Sequence, residues 1–425
     1  MGFHNQALKN DGSLWTWGNN EYRQIGDNTN INRLSPTQIT QETNWQIIST
    51  GTYTSTAIKN DGTVWYWGRS YLGTGCCPSI PVPQQLVGFE NSISVAQGLN
   101  NTAIIKSDGT LWVRGWNEYG ALGNGTFVSS DVPVQVGSDT NWQSVSIGSQ
   151  HITAIKSDGT MWGWGWNSSG QVGDGTTTNR NLPVQIGNDN NWVKVYSGYS
   201  ANLALKANGT LWAWGWNTYG QLGDGTTTTR RTPVQVGNNN DWVDISITTH
   251  SLAIKSDGSL WAWGYNNYGK LGLGLSSNQV AIPTQVGTAT NWVQAIPGFE
   301  HTIALQEDGS FWAWGRNHNG QLGDGTLIDK PLPTQIAIPC PPLSIGQINQ
   351  NEPKIYPNPT NNLLNIEFEN SSLLKNISVF NVEGKLLLEF KNIESTIDIS
   401  SLPAGLYLIK MIYEQEVFTS KIIKN

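Results

Sequence analysis

An Asp-Gly or Asn-Gly pair, followed three residues later by tryptophan, recurs seven times: at Asp11-Gly12, Asp61-Gly62, Asp108-Gly109, Asp158-Gly159, Asn208-Gly209, Asp257-Gly258 and Asp308-Gly309. The intervals are 50, 47, 50, 50, 49 and 51 residues, with no insertion between copies. A unit this short cannot enclose a core of its own, so each copy must bury its apolar face against its neighbours. The repeat therefore decides the fold.

Each unit reads as four short strands. In the fifth, Trp192–Ser197 is the first strand and residues 203–206 the second, joined through the tight Asn208-Gly209 turn to a third at 211–216. The loop Gly220-Gln221-Leu222-Gly223-Asp224-Gly225-Thr226 leads to a fourth at 233–236. Four-stranded units of about 50 residues stacked radially are propeller blades. Composition agrees: 47 glycines disfavour helix, and 21 tryptophans demand burial. Strand alternation puts Trp212 and Trp214 on one face of the blade and Ala213 and Gly215 on the other. A broad indole face then meets a smooth face of the next blade. On this reading Trp15, Trp17, Trp65, Trp67, Trp162, Trp164, Trp212, Trp214, Trp261, Trp263, Trp312 and Trp314 are structural, and Arg114 departs from the pattern.

The pattern G-x-x-H-[TS]-x-A-[LI], then D-G, then W-x-W-G-x-N-x-x-G-Q-L-G-D-G-T, is clearest at 298–325 and 203–226. It resembles the repeat of the RCC1 (regulator of chromosome condensation) family, over roughly residues 2–337. The resemblance implies an all-β, seven-bladed propeller across residues 1–337. The first unit opens at Met1-Gly2-Phe3-His4, already a second strand, so the ring counts 27 strands rather than 28. The expectation is that the first strand and a signal peptide lie upstream of Met1.

After Ile336 the composition changes. Residues 338–353, with Pro339, Pro341 and Pro342, read as a linker. Residues 354–425 contain no tryptophan, and strands at 364–368, 377–381, 385–390, 406–411 and 418–423 predict a small β-sandwich. Tyr356, Pro357, Asn358 and Pro359, then Gly384, then Gly405 and Tyr407, and finally Lys421 mark a pattern similar to the C-terminal sorting domain of type IX secretion in Bacteroidota. That resemblance implies export to the medium or outer-membrane surface, with the type IX machinery as a partner.

Net charge is −7 and no basic block occurs, which argues against nucleic acid. No apolar run approaches the ~18 residues of a membrane span. Cys76, Cys77 and Cys340 form no disulfide framework, and pairing of Cys340 with either of the others stays open. His4, His151, His250 and His301 share one repeat position, where a hydrogen bond to neighbouring backbone is preferred over a metal site. Asp174, Asp224 and Asp324 read as turn caps rather than calcium ligands, since each loop brings one carboxylate. No catalytic motif, cofactor motif or metal-ligand spacing is found.

The residue after each W-G pair breaks the repetition: Trp116, Trp166, Trp216 and Tyr265 are consecutive aromatics, followed by Arg316. Strand direction places them on the same face as the turn carrying Tyr53. An aromatic arc on one rim is a candidate surface for a protein or glycan; the competing reading makes these rings lids over the blade interfaces. The expected function is thus a non-enzymatic, monomeric, secreted or cell-surface binding protein. Alternatives are the accessory propeller of a larger secreted enzyme and a guanine-nucleotide exchange factor. The latter is disfavoured by the uninterrupted spacing and the export tag.

Overall fold

The computed structural model describes residues 2–69, 79–336, 354–357, 360–367, 374–380, 386–390, 396–403, 405–413 and 416–424. The three cysteines, the expected linker, Asn358, Pro359 and Gly384 lie outside them. The chain divides into two compact units, Met1–Ile338 and Pro339–Asn425.

The first unit contains six four-stranded antiparallel sheets and one of three strands, 27 strands in all among the described residues. In the fifth blade these are Trp192–Ser197, Ala201–Lys206, Leu211–Gly215 and Arg230–Gln235, adjacent in that order. The repeated turn is held by side chains. Asn208 Oδ1 accepts from Thr210 N (3.2 Å) and Oγ1 (2.7 Å), and Thr210 Oγ1 accepts from Trp212 Nε1 (3.0 Å). Asx-type bonding of this kind sets the hairpin and aims the first indole of the pair. That indole meets Trp192 of the inner strand edge-on at 5.8 Å, and Lys206 Nζ lies 3.9 Å from one ring and 4.7 Å from the other.

The second indole of each pair joins the blades. Trp263 of the sixth blade is fully buried against Leu203, Leu205, Leu211 and Ala213 of the fifth, in one cluster with Trp242, Ile245 and Ile247. Burying an indole of 150–250 Å² contributes at most about 4–6 kcal/mol. Its Nε1 donates to Gln221 O (3.0 Å), and Trp164 and Trp214 donate likewise to Ala121 O and Gln171 O. The same bonds close the ring. Trp17 Nε1 donates to Gln321 O (3.1 Å), Asn5 Nδ2 donates to the same oxygen (2.7 Å), and Gly325 N donates to Leu34 O (2.9 Å).

Arg114 is compensated across an interface. In the second blade the small residue between the indoles is replaced by Tyr66, and Arg114 of the third blade lies 5.2 Å from that ring. The bulk has moved from one face to the other, so the two departures from the repeat are one exchange.

The shared histidine position also serves the interfaces, but not through backbone as expected. His4 Nε2 meets Ser55 Oγ (2.9 Å), His151 meets Asn202 Oδ1 (2.9 Å), His250 meets Thr302 Oγ1 (2.8 Å) and His301 meets Asn5 Oδ1 (2.8 Å). Each partner belongs to the following blade and donates in turn to a loop carbonyl: Ser55 to Gln24 O, Asn202 to Gln171 O, Thr302 to Lys270 O and Asn5 to Gln321 O. With the partner's donor committed there, the imidazole carries its proton on Nε2.

In the second unit a three-stranded sheet (Lys354–Tyr356, Leu363–Glu367, Thr396–Asp398) and a four-stranded one (Leu374–Phe380, Leu386–Phe390, Gly405–Tyr413, Glu416–Lys424) enclose Leu364, Ile366, Ile377, Val379, Ile397, Tyr407, Ile409, Met411 and Ile422. Tyr407 is buried and its hydroxyl donates to Pro403 O (2.7 Å). Tyr356 is exposed, Gly405 opens the Gly405–Tyr413 strand, and Lys421 pairs with Leu408 across the sheet. Lys424, which the motif did not single out, is buried and donates to Ser400 O (3.2 Å) and to Leu402 O.

Candidate functional site

The residues after the W-G pairs leave the third strand beside the turn that follows the inner strand. Trp116, Trp166, Trp216, Tyr265 and Arg316 donate their backbone N–H groups to the carbonyls of Asn100, Gln150, Ser200, Thr249 and Glu300, and Arg69 does so to Tyr53. All six nominated residues (Tyr53, Trp116, Trp166, Trp216, Tyr265 and Arg316) are half-buried and share this face.

They are linked by tyrosines that the sequence reading passed over. Three residues beyond four of the seven rim positions stand Tyr22, Tyr119, Tyr219 and Tyr268, read as W-N-x-Y-G at 116–120 and 216–220. Tyr119 touches Trp116 of its own blade and Trp166 of the next, each at 5.9 Å. Tyr219 meets Trp216 edge-on (5.3 Å) and stacks on Tyr265 (4.2 Å). Tyr22 contacts Tyr53 (4.8 Å) and Arg69 (4.7 Å), and Tyr268 lies 5.1 Å from Arg316. Ser169 stands at the tyrosine position between the fourth and fifth blades, and among the described residues Trp216 meets only Tyr219 of its own blade, as Trp116 meets Tyr119 of its own. Trp166 and Tyr265 are thus stapled across interfaces, whereas Trp216 is attached to its own blade.

A polar sector adjoins the arc. Arg316 pairs with Glu300, which holds its guanidinium pKa above the usual value despite the opposing effect of burial. Lys270 replaces the glutamine found at Gln171, Gln221 and Gln321. It is 1% exposed, and its Nζ donates to Thr249 Oγ1 (2.9 Å) and Phe299 O (3.2 Å), with Tyr265 4.4 Å away. Burial brings its pKa down to about 7, partly offset by Glu300. Phe3 and Tyr199 meet Phe299 at 5.5 and 6.3 Å. Nothing in a tryptophan-centred reading of the repeat pointed to this cluster; only comparing the glutamine column across copies exposes Lys270.

The loop carboxylates have other duties. Asp224 Oδ1 accepts from Thr226 N and Oγ1 (3.0 and 2.7 Å) and from Asn217 Nδ2 (3.2 Å), while Oδ2 accepts from Arg230 Nε (2.7 Å). Asp174 is held in the same way by Thr176, Asn167 and Arg180. These contacts organise the loop on which the rim rings stand. Asn217 is fully buried, and its Oδ1 accepts from Leu222 N (2.9 Å).

Blades joined by paired indoles, with their connecting loops gathered on one face, define a repeat propeller of the RCC1 class. The RCC1-like domain matches residues 72–353 and the RCC1 repeat residues 11–58, so the chain belongs to the RCC1-like family. The secretion system C-terminal sorting domain matches residues 354–425. Among solved structures, yeast RCC1 (Prp20) bound to Kap60 is similar at 19% identity over 82% of this chain and 86% of that one, with a TM-score of 0.69. Human WBSCR16 is similar at 21% identity over 76% and 94%, with a TM-score of 0.68. At these identities the likeness speaks for the fold. The chain is a secreted propeller protein, with a tail for the type IX machinery that directs it to the medium or the cell surface. Among the described residues no helix is long and apolar enough to cross a membrane.

Proposed function

We propose that the propeller captures a protein or glycan on the loop face, without chemistry of its own, and that Trp216 is the centre of the contact. The supporting observation is the uneven stapling of the arc. Rings that only sealed interfaces would each bridge two blades, as Trp166 and Tyr265 do through Tyr119 and Tyr219. Trp216 has Ser169 beside its interface and remains half-buried on the rim. Tryptophan beside tyrosine and arginine is the composition of binding hot spots, where one residue carries 2 kcal/mol or more. Exposed aromatic faces also stack on sugar rings, so both ligand classes fit the surface.

The test is a glycan array and a binding assay on intact cell surfaces, run with the wild type and with Trp216→Ala. The reading expects a captured ligand whose affinity falls about thirtyfold in the variant, corresponding to about 2 kcal/mol. Melting should stay within a few degrees of wild type. Undiminished binding by Trp216→Ala would overturn the assignment, as would a collapse of the fold.

A further inference from the structure

We propose that the rim turn of the sixth blade, residues 265–272, is a pH-operated switch whose trigger is the Lys270 side chain. Charged, Lys270 holds Tyr268 out of the conformation that the other turns adopt; neutral, it lets Tyr268 return. The other blades define the ordinary turn. Gln24, Gln171, Gln221 and Gln321 each accept through Oε1 from the backbone N–H two residues earlier, at Tyr22 (2.8 Å), Ser169 (2.8 Å), Tyr219 (3.0 Å) and Asn319 (2.8 Å). In the sixth blade Lys270 takes that place, and an ammonium group can only donate.

The turn has responded to the exchange. Tyr268 stands at φ +60° and ψ +15°, in left-handed backbone, which the equivalent Ser169, Tyr219 and Asn319 do not adopt. A missing acceptor alone does not explain this. The third blade has Ala121 at the glutamine position, and Tyr119 there stays out of the left-handed region. Particular to the sixth blade is a cation at the place where the Tyr268 N–H would point. Hydrogen and ammonium carry charge of the same sign, so the N–H turns away. Left-handed backbone is unfavourable for a tyrosine and persists only where the surroundings hold it.

The surroundings of Lys270 can tip it either way. Its bonds to Thr249 Oγ1 and Phe299 O, with the Tyr265 ring on a third side, satisfy the ammonium form. Around it stand Thr248, Thr249 and His250 from the sixth blade's inner turn, Phe299, Glu300 and His301 from the seventh blade's, and Gly315 and Arg316 at a strand end. Glu300 stabilises the charge but is shared with Arg316. Burial keeps His250 and His301 neutral. Where the neighbouring outer strand begins against the turn, Asp329 accepts from Asn317 N (2.7 Å) and Lys330 faces Asp324 (3.8 Å). Burial outweighs Glu300, and the amine titrates at about pH 7. Loss of a proton gives Nζ a lone pair, able to accept from Tyr268 N–H as the glutamine oxygens do elsewhere.

The consequence falls on the rim. In its left-handed state Tyr268 lies 5.1 Å from the Arg316 guanidinium and meets His318 edge-on at 5.9 Å. In the ordinary turn Tyr219 instead stacks on the next rim residue, Tyr265, at 4.2 Å. Deprotonation of Lys270 therefore moves the Tyr268 ring and rearranges the surface beside Arg316, while the sheets stay in place. Regulation of ligand capture by this movement rests on the reading of the loop face as the binding surface; the switch itself does not.

The experiment needs no ligand, so it can fail without the binding assay failing, and the reverse. The full chain labelled with nitrogen-15 tyrosine gives 13 backbone resonances, and the one lost in Tyr268→Phe reports the turn. On titration that resonance should shift with a single midpoint at about pH 7, moving downfield at high pH as the N–H gains an acceptor. In Lys270→Gln, the residue four other blades hold there, it should keep the high-pH position throughout. Lys270→Ala, which copies Ala121, should also abolish the titration. Three results would each overturn the proposal. One is a Tyr268 resonance unmoved between about pH 6 and 8. Another is a shift preserved in Lys270→Gln, which assigns the titration to His318. The third is an upfield shift at high pH, which denies the gain of a hydrogen bond.

Discussion

Gly223→Ala separates the inter-blade joint from ordinary turn strain. Gly223 sits at φ +78°, and a methyl group there would lie 2.6 Å from Trp263 Nε1 and 3.0 Å from Cδ1 and Cε2. The ring cannot retreat, because it is 0% exposed and its Nε1 is bonded to Gln221 O. Gly237 supplies the control: its φ is +62°, but a methyl group would meet nothing within 4 Å. Left-handed backbone costs an alanine about 1–2 kcal/mol, offset by about 0.4–1 kcal/mol from the restricted unfolded chain. Gly237→Ala should therefore lower stability by about 1 kcal/mol or less. Gly223→Ala adds overpacking of about 1–3 kcal/mol and the loss of a hydrogen bond worth about 1 kcal/mol. Urea unfolding of both variants should show a gap of about 2–4 kcal/mol. Trp263→Phe in the Gly223→Ala background should make the pair non-additive by more than about 0.5 kcal/mol, because the two side chains share one space. Equal losses for the two glycine variants, or strict additivity of the pair, would refute the view that the indole and the loop glycine form one joint.

Stability should also fall on acidification. Burial lowers the pKa of His4 and His301 to about 3 and of His151 to about 4, and lowers His250 as well. In the unfolded chain these groups protonate near pH 6.5, so stability is intact above that value and is lost as pH falls towards 4. Each imidazole contributes about 1.4 kcal/mol per pH unit. Denaturant midpoints from pH 7 to 5 should record this, and His151→Asn should flatten the slope by one proton, since Asn101 already holds the equivalent place. Arg114→Trp alone should destabilise by about 1–3 kcal/mol through collision with Tyr66, and Tyr66→Ala in the same chain should restore the melting temperature. In the tail, Lys424→Met leaves Ser400 O and Leu402 O without their donor, costing about 1–3 kcal/mol. The fraction of protein exported should fall accordingly.

How far the sequence went depends on the range of the interaction concerned. The Asp-Gly-Thr-x-Trp hairpin was legible because its bonds join residues two apart, as Asn208, Thr210 and Trp212 show. The tail was legible for a different reason, through motifs spread over residues 356–421. The histidines mark the boundary. Their shared position showed a structural role, but the partner of His151 is Asn202, 51 residues away, and local reasoning assigned it to nearby backbone. The rim followed the same rule: Trp166 was visible as an aromatic, while the tyrosine that decides whether it staples or binds belongs to the preceding blade.

A regular series of glycine turns and alternating indoles determines by itself that the chain forms four-stranded sheets and that each must cover its neighbour, because both follow from local geometry and the need to bury wide aromatic faces. Only the closed ring decided which departures from the repeat cancel and which residues join distant blades. Tyr66 and Arg114 compensate across one interface, and Trp17 and Asn5 of the first blade meet Gln321 of the seventh. Those outcomes depend on groups about 50 to 300 residues apart coming within a few ångströms.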